Sequence, residues 1–64
     1  MSKLQDMRKS RGMSQSQLAE LSEISIRMIQ YYEQGVRDIN KAQGITLRKL
    51  ANVLACAMED LMED

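Results

Sequence analysis

Side chains able to form paired hydrogen bonds stand close together in residues 26–31, which include Arg27 and Gln30. The guanidinium of Arg27 is a rigid fork of N–H donors, which can engage two acceptors on one planar partner. The amide of Gln30, like that of Gln15 earlier in the chain, offers a donor beside an acceptor. The chemistry that these groups support is non-covalent recognition.

The sequence lacks the residue arrangements that most often indicate catalysis. There is no histidine, no phosphate-binding glycine loop, and no candidate nucleophile with a base beside it. The single cysteine, Cys56, excludes an intramolecular disulfide and a cysteine zinc site. We therefore expect no enzyme activity, no metal, no cofactor and no small-molecule ligand.

The sequence also favours a particular compartment. No apolar run approaches the ~20 residues of a membrane span, and the first residues are not followed by the apolar stretch of a secretion signal. A lone cysteine fits a reducing environment. We expect a cytoplasmic protein that does not associate with a membrane.

Charge is balanced over the chain but not along it. The formal net charge is zero, which argues mildly against nucleic acid as a partner. Residues 1–37 carry six basic and four acidic side chains, whereas residues 38–64 carry three basic and five acidic ones. Four of the last six residues are acidic: Glu59, Asp60, Glu63 and Asp64. The basic half can face an anionic partner, or the acidic end can simply aid solubility.

Two short amphipathic helices joined by a tight turn are predicted in residues 14–35. Ser14 can cap the first, and Ser25 can cap the second, which runs from about Ile26 to Glu33 and ends at Gly35. Helical spacing places apolar residues on their inner faces: Leu18, Ala19, Leu21, Ile29 and Tyr32. Such a pair has the layout of a helix-turn-helix.

Three further helices are predicted around this pair, giving one all-α domain of five helices over residues 1–64. A first helix of about eight residues stops near Gly12, and a fourth starts either near Lys41, capped by Asn40, or only after Gly44. The residues expected on the apolar stripes are Leu4, Met7, Leu47, Leu50, Ala51 and Leu54, with Met58, Leu61 and Met62 marking a short fifth helix. Because Ala55 and Ala57 favour helix, an alternative is one fused helix over residues 45–62.

The chain resembles the Cro/phage-repressor type of helix-turn-helix domain, also called the Xre family, over nearly its whole length. The residues that carry the resemblance are Met7-Arg8, residues 11–15 (RGMSQ), Leu18-Ala19, Ile24-Ser25, Ile29, Tyr32-Glu33, Gly35, Thr46-Leu47, Leu50-Ala51, Leu54 and residues 58–61 (MEDL). The resemblance implies a lambda-repressor-like fold that binds duplex DNA sequence-specifically, commonly as a homodimer, and regulates transcription. A repressor is the expected kind of regulator, with an activator as the alternative.

The resemblance also implies roles for individual residues. Base contacts are expected from four residues on or beside the third helix: Ile26, Arg27, Gln30 and Tyr31. A phosphate contact is expected from Gln15 and from Ser25, and Arg8 and Glu33 occupy the positions of an ion pair. Two further expectations come from the residues and not from the resemblance. The charged loop residues Arg37 and Lys41 are expected to contact phosphates, and Met58, Leu61 and Met62 are the candidates for a dimer interface. The alternatives are ordinary exposed or core-filling side chains at these positions.

The sequence departs from the family pattern at three places. Glu23 stands in the turn where glycine is usual, so the turn is strained if the backbone needs a positive φ. Ile39 replaces a frequent proline in a connection about two residues longer than the common one, and Ala55 and Ala57 replace a glycine stop and a serine cap. Together with the zero net charge, the acidic end keeps open a protein-interaction module of the same fold, such as an antitoxin or a repressor modulator.

Overall fold

The computed structural model describes residues 2–63, which form four α-helices and two short 3₁₀ helices. The elements in order are α1 (Lys3–Ser10), α2 (Gln15–Ser22), α3 (Ile26–Gln34), a 3₁₀ helix (Ile39–Lys41), α4 (Gly44–Leu54) and a C-terminal 3₁₀ helix (Met58–Leu61). No strand occurs in this part of the chain. The prediction of an all-α fold is confirmed; Met1 and the acidic residue Asp64 lie outside the described range.

Serine side chains begin the first three helices. The Ser14 hydroxyl accepts a hydrogen bond from the Gln17 amide at 3.0 Å, and the Gln17 side chain accepts in return from the Ser14 amide at 2.9 Å. Ser25 accepts from the Met28 amide at 3.2 Å, and Ser2 caps α1 in the same way. The predicted caps at Ser14 and Ser25 are confirmed, and each satisfies backbone donors that a helix start leaves without partners.

The turn between α2 and α3 is made by a residue other than glycine. Glu23 adopts a left-handed conformation with φ of 61°. Glycine would adopt it without strain, so the side chain of Glu23 costs the turn conformational energy. The strain expected from the sequence at this position is therefore present.

The C-terminus of α4 contradicts the fused-helix alternative. Ala55 has φ of 55°, and the Cys56 amide donates to the Ala51 carbonyl at 3.0 Å, which closes the helix at Leu54. The segment beyond it forms a single 3₁₀ turn rather than a fifth α-helix. The prediction of five helices is corrected to four α-helices, because the chain reverses at Ala55 and returns its next apolar residues to the core.

The connection from α3 to α4 decides where the fourth helix starts. α4 begins at Gly44, so the alternative start near Lys41 is wrong. Asn40 lies in the 3₁₀ helix and uses its side chain elsewhere: its Oδ1 accepts from the Glu63 amide at 2.8 Å, and its Nδ2 donates to the Glu63 carbonyl. Through Asn40, the loop between α3 and α4 is thus hydrogen-bonded to the backbone of the C-terminal segment.

One apolar core holds the four helices together. Its buried members are Leu4, Leu18, Ile29, Tyr32, Ile39, Leu47, Leu50, Ala51, Leu54 and Leu61. Leu21, predicted to face inward, is 58% exposed. Ser22 is buried in its stead and donates its hydroxyl proton to the Leu18 carbonyl at 2.6 Å. Within residues 2–63, every helix is too short or too polar to cross a membrane.

Candidate nucleic-acid interface

The N-terminal end of α3 presents side chains to solvent. Ser25, Ile26 and Arg27 are exposed, while Gln30 and Tyr31 are half-buried one turn further along. The opposite face of the helix carries Ile29 and Tyr32 into the core. The five side chains predicted for DNA contact by α3 therefore keep accessible surface, whereas the core fixes the helix that carries them.

A buried ion pair ties α1 to the end of α3. Arg8 Nε donates to Glu33 Oε2 at 2.7 Å, and Arg8 Nη2 donates to Glu33 Oε1 at 3.0 Å. The remaining nitrogen, Nη1, donates to the Met13 carbonyl at 2.8 Å. The hydrogen bond that Arg8 donates to Glu33 outweighs burial and raises the pKa of Arg8 above its ordinary value, so the guanidinium stays charged. The structure thus brings together the two residues expected to pair, in a bidentate geometry.

Two glutamine side chains extend this ion pair towards the exposed face of α3. Gln15 Nε2 donates to Glu33 Oε1 at 3.0 Å, and Gln30 Nε2 donates to Gln15 Oε1 at 3.4 Å. The sequence predicts both amides as DNA contacts but gives no signal of a bond between them, because the two residues are on different helices. The resulting chain of side chains runs Arg8, Glu33, Gln15, Gln30.

The first turn of α2 lies beside this chain of contacts. The capping box occupies the amides of Ser14 and Gln17, and the amides of Gln15 and Ser16 stand between them in the open first turn. Helix N-termini attract anions because the unpaired N–H groups and the helix dipole both favour negative charge. A phosphate is suited to this position.

The comparison with known proteins decides what this arrangement belongs to. A model of the helix-turn-helix family, of the Cro/C1 type, matches residues 4–61. The chain belongs to the Cro/C1-type helix-turn-helix family. This is a DNA-binding regulatory family rather than an enzyme family. No curated protein and no solved structure matches the chain.

The loop that follows α3 in this helix-turn-helix domain carries two further basic residues. Arg37 and Lys41 are exposed and line one shallow pocket together with Tyr32, Asp38 and Ala42. Asp38 Oδ1 is engaged by the Asn40 amide at 2.9 Å, where it caps the 3₁₀ helix. Arg37 and Lys41, two of the four residues predicted to contact phosphate, thus lie beside the same pocket.

The three residues predicted for a dimer interface differ in their burial. Leu61 has no exposed surface in the single chain, because it fills the core beneath α4. A second copy cannot contact it, which removes Leu61 from the predicted interface. Met58 and Met62 are half-buried and retain accessible surface.

Other reactive groups are few in the part of the chain that the structure describes. No group of three or more histidine, cysteine, aspartate and glutamate side chains in residues 2–63 could hold a metal ion. Cys56 is half-buried, and burial, with a smaller effect of Asp60, raises the pKa of its thiol against a lowering effect of Arg11. The thiol is therefore mostly protonated at neutral pH.

Proposed function

We propose that the chain is a sequence-specific repressor of transcription that binds duplex DNA as a homodimer, with α3 in the major groove. The observation that carries the proposal is the exposed N-terminal end of α3, a helix that the Arg8–Glu33 pair ties to α1. A rigid helix with free side chains at its N-terminal end is suited to the major groove, which admits an α-helix. Membership of a DNA-binding family supports the same partner.

Four residues of α3 with accessible surface have roles under this proposal. The guanidinium of Arg27 donates to O6 and N7 of guanine, and the methyl groups of Ile26 contact the methyl group of thymine. Gln30 pairs with adenine, and Tyr31 lies beside the groove with its hydroxyl within reach of a phosphate.

Contacts to the DNA backbone fix the register of the helix. Gln15 and Ser25 at the helix starts, with Arg37 and Lys41 from the loop, contact phosphates. A second copy packs on the surface that includes Met58 and Met62, since flexible methionine side chains adapt to an apolar partner. The two copies then contact half-sites about one helical turn apart.

The test is selection of sequences from a random duplex library by the purified protein at about physiological salt. Specific and non-specific affinities typically differ by ~10³ or more, so a sequence-specific protein enriches its site strongly. We expect an inverted repeat. Arg27→Ala should relax the preference at one base pair of each half-site, whereas Arg37→Ala should weaken binding to all sequences alike. Arg48→Ala, exposed on α4, is the control for loss of positive charge.

A second candidate function is a protein-interaction module of the same fold. The zero net charge favours it, and so does the exposure of two large apolar residues, Leu21 at 58% and Val36 at 65%. A folded protein that leaves the library random would favour this alternative over the repressor.

A further inference from the structure

Gln15 connects the ion pair of α1 and α3 to the exposed face of α3. Its amide bonds to Glu33 on one side, at 3.0 Å, and to Gln30 on the other, at 3.4 Å. The carboxylate of Glu33 can only accept hydrogen bonds, so the nitrogen of Gln15 must face it. The oxygen of Gln15 is then left as the acceptor that faces Gln30.

The orientation of Gln15 fixes, in turn, what Gln30 can offer a ligand. With an acceptor in front of it, Gln30 must direct its nitrogen towards Gln15, which occupies one of the two amide hydrogens. When the bonded hydrogen is the one trans to Oε1, the second hydrogen and the oxygen Oε1 are left side by side. Gln30 therefore presents one donor and one acceptor rather than two donors.

This pattern distinguishes between the two purines in the major groove. Adenine presents an acceptor at N7 and a donor at N6, which match one donor and one acceptor. Guanine presents two acceptors, N7 and O6, and an amide satisfies both only if both of its hydrogens are free. We infer that Gln15 is a positioning residue that makes Gln30 select adenine over guanine at one position of each half-site. The inference rests on the proposed function, because it concerns the base that Gln30 contacts.

The test compares the purine preferences of wild type and Gln15→Met. Methionine retains the length of the side chain but neither accepts from Gln30 nor donates to Glu33, whose two bonds to Arg8 remain. Gln30→Met first identifies the position at which Gln30 acts, since only there does it abolish the preference. At that position we expect Gln15→Met to lower the preference for adenine over guanine by roughly tenfold. The preference at the base pair contacted by Arg27 should be unchanged.

A double variant and a control complete the comparison. In the Gln30→Met background, Gln15→Met should leave the purine preference as it is. Gln34→Met, exposed at the end of α3, is the matched control and should change no preference. If Gln15→Met weakens adenine and guanine sites by the same factor, Gln15 is a phosphate contact only, and the inference is overturned.

A measurement without DNA separates this inference from the proposed function. The side-chain amide resonances of Gln30 in ¹⁵N-labelled protein should shift in Gln15→Met and stay in place in Gln34→Met. Unmoved Gln30 resonances overturn the inference while the selection experiment still stands. A wild-type protein that enriches no sequence overturns the proposed function and, with it, the selection of adenine.

Discussion

Two junctions in the domain are held by different kinds of contact. The polar junction joins α1, α2 and α3 through Arg8, Glu33 and Gln15, whereas the apolar junction joins α4 to the C-terminal 3₁₀ helix through Leu54 and Leu61. Hydrogen bonds have direction and fix which atoms face outward. Packing of apolar side chains fixes distance and volume. Two of the residues with proposed DNA contacts, Gln15 and Gln30, are hydrogen-bonded at the junction whose contacts have direction.

The largest effect is expected from breaking the ion pair of the polar junction. Arg8→Met leaves the Glu33 carboxylate buried without its cation, which should cost about 3–5 kcal/mol of unfolding free energy. Urea denaturation followed by circular dichroism measures the loss. The smaller change Glu33→Gln should also lower the thermal midpoint, and an unchanged melt for that variant would contradict a stabilising role of the pair.

A double variant sharpens the origin of that loss. Arg8→Met combined with Glu33→Leu removes both charges and should recover most of the stability, since an apolar pair of similar volume is often no less stable than a buried ion pair. The recovered protein should still lack the bond from Gln15 to position 33. The double variant should therefore regain the free energy of unfolding without regaining the orientation of the Gln15 side chain.

The second effect is a cavity in the apolar junction. Leu61→Ala removes a side chain without exposed surface and should cost about 3 kcal/mol, by denaturant unfolding. Leu21→Ala is the matched control: with Leu21 58% exposed, it should change the unfolding free energy by less than about 0.5 kcal/mol. Equal losses for the two variants would mean that Leu61 is not part of the core. In conditions where Leu61→Ala remains folded, its base preferences should match wild type, in contrast to Gln15→Met.

Local patterns predicted the helices because helix formation depends on neighbouring residues. The serine caps and the glycine ends of α1 and α3 lie within a few residues of the groups that they satisfy, so spacing alone located them. Gly12 and Gly35 have φ of 69° and 79°, as glycine at a helix end permits.

Contacts distant in sequence account for what local patterns missed. Helix propensity favours continuation through Ala55, but Arg11 donates to the carbonyl oxygens of Leu54 at 2.7 Å and Ala55 at 3.4 Å and so satisfies the end of α4. Burial of Leu61 is possible only if the chain turns back at this point. The hydrogen bond from Gln30 to Gln15 likewise depends on how two helices pack, which periodicity does not describe.

Two turns contain a left-handed residue other than glycine, Glu23 in one and Ala55 in the other. Glu23→Gly and Ala55→Gly should each stabilise the fold by about 0.5–1 kcal/mol, because relief of strain at positive φ exceeds the entropy that glycine adds to the unfolded chain. Thermal melts of both variants measure the gain. Ala57→Gly, where φ is −79°, is the control and should give no gain. A loss at Glu23 alone would show that its side chain contributes contacts that outweigh the strain.

The smallest effect concerns the thiol beside the apolar junction. Burial and, to a smaller extent, the negative charge of Asp60 raise the pKa of Cys56, whereas Arg11 lowers it. At pH 8 the folded chain therefore holds less thiolate than the unfolded chain, and since the thiolate is the reactive form, iodoacetamide should alkylate the native protein several-fold more slowly than the protein in urea. Asp60→Asn should speed the native reaction. Glu59→Gln removes one acidic charge at the neighbouring position and is the control. If Glu59→Gln speeds alkylation as much as Asp60→Asn does, the effect comes from net charge rather than from the side chain of Asp60.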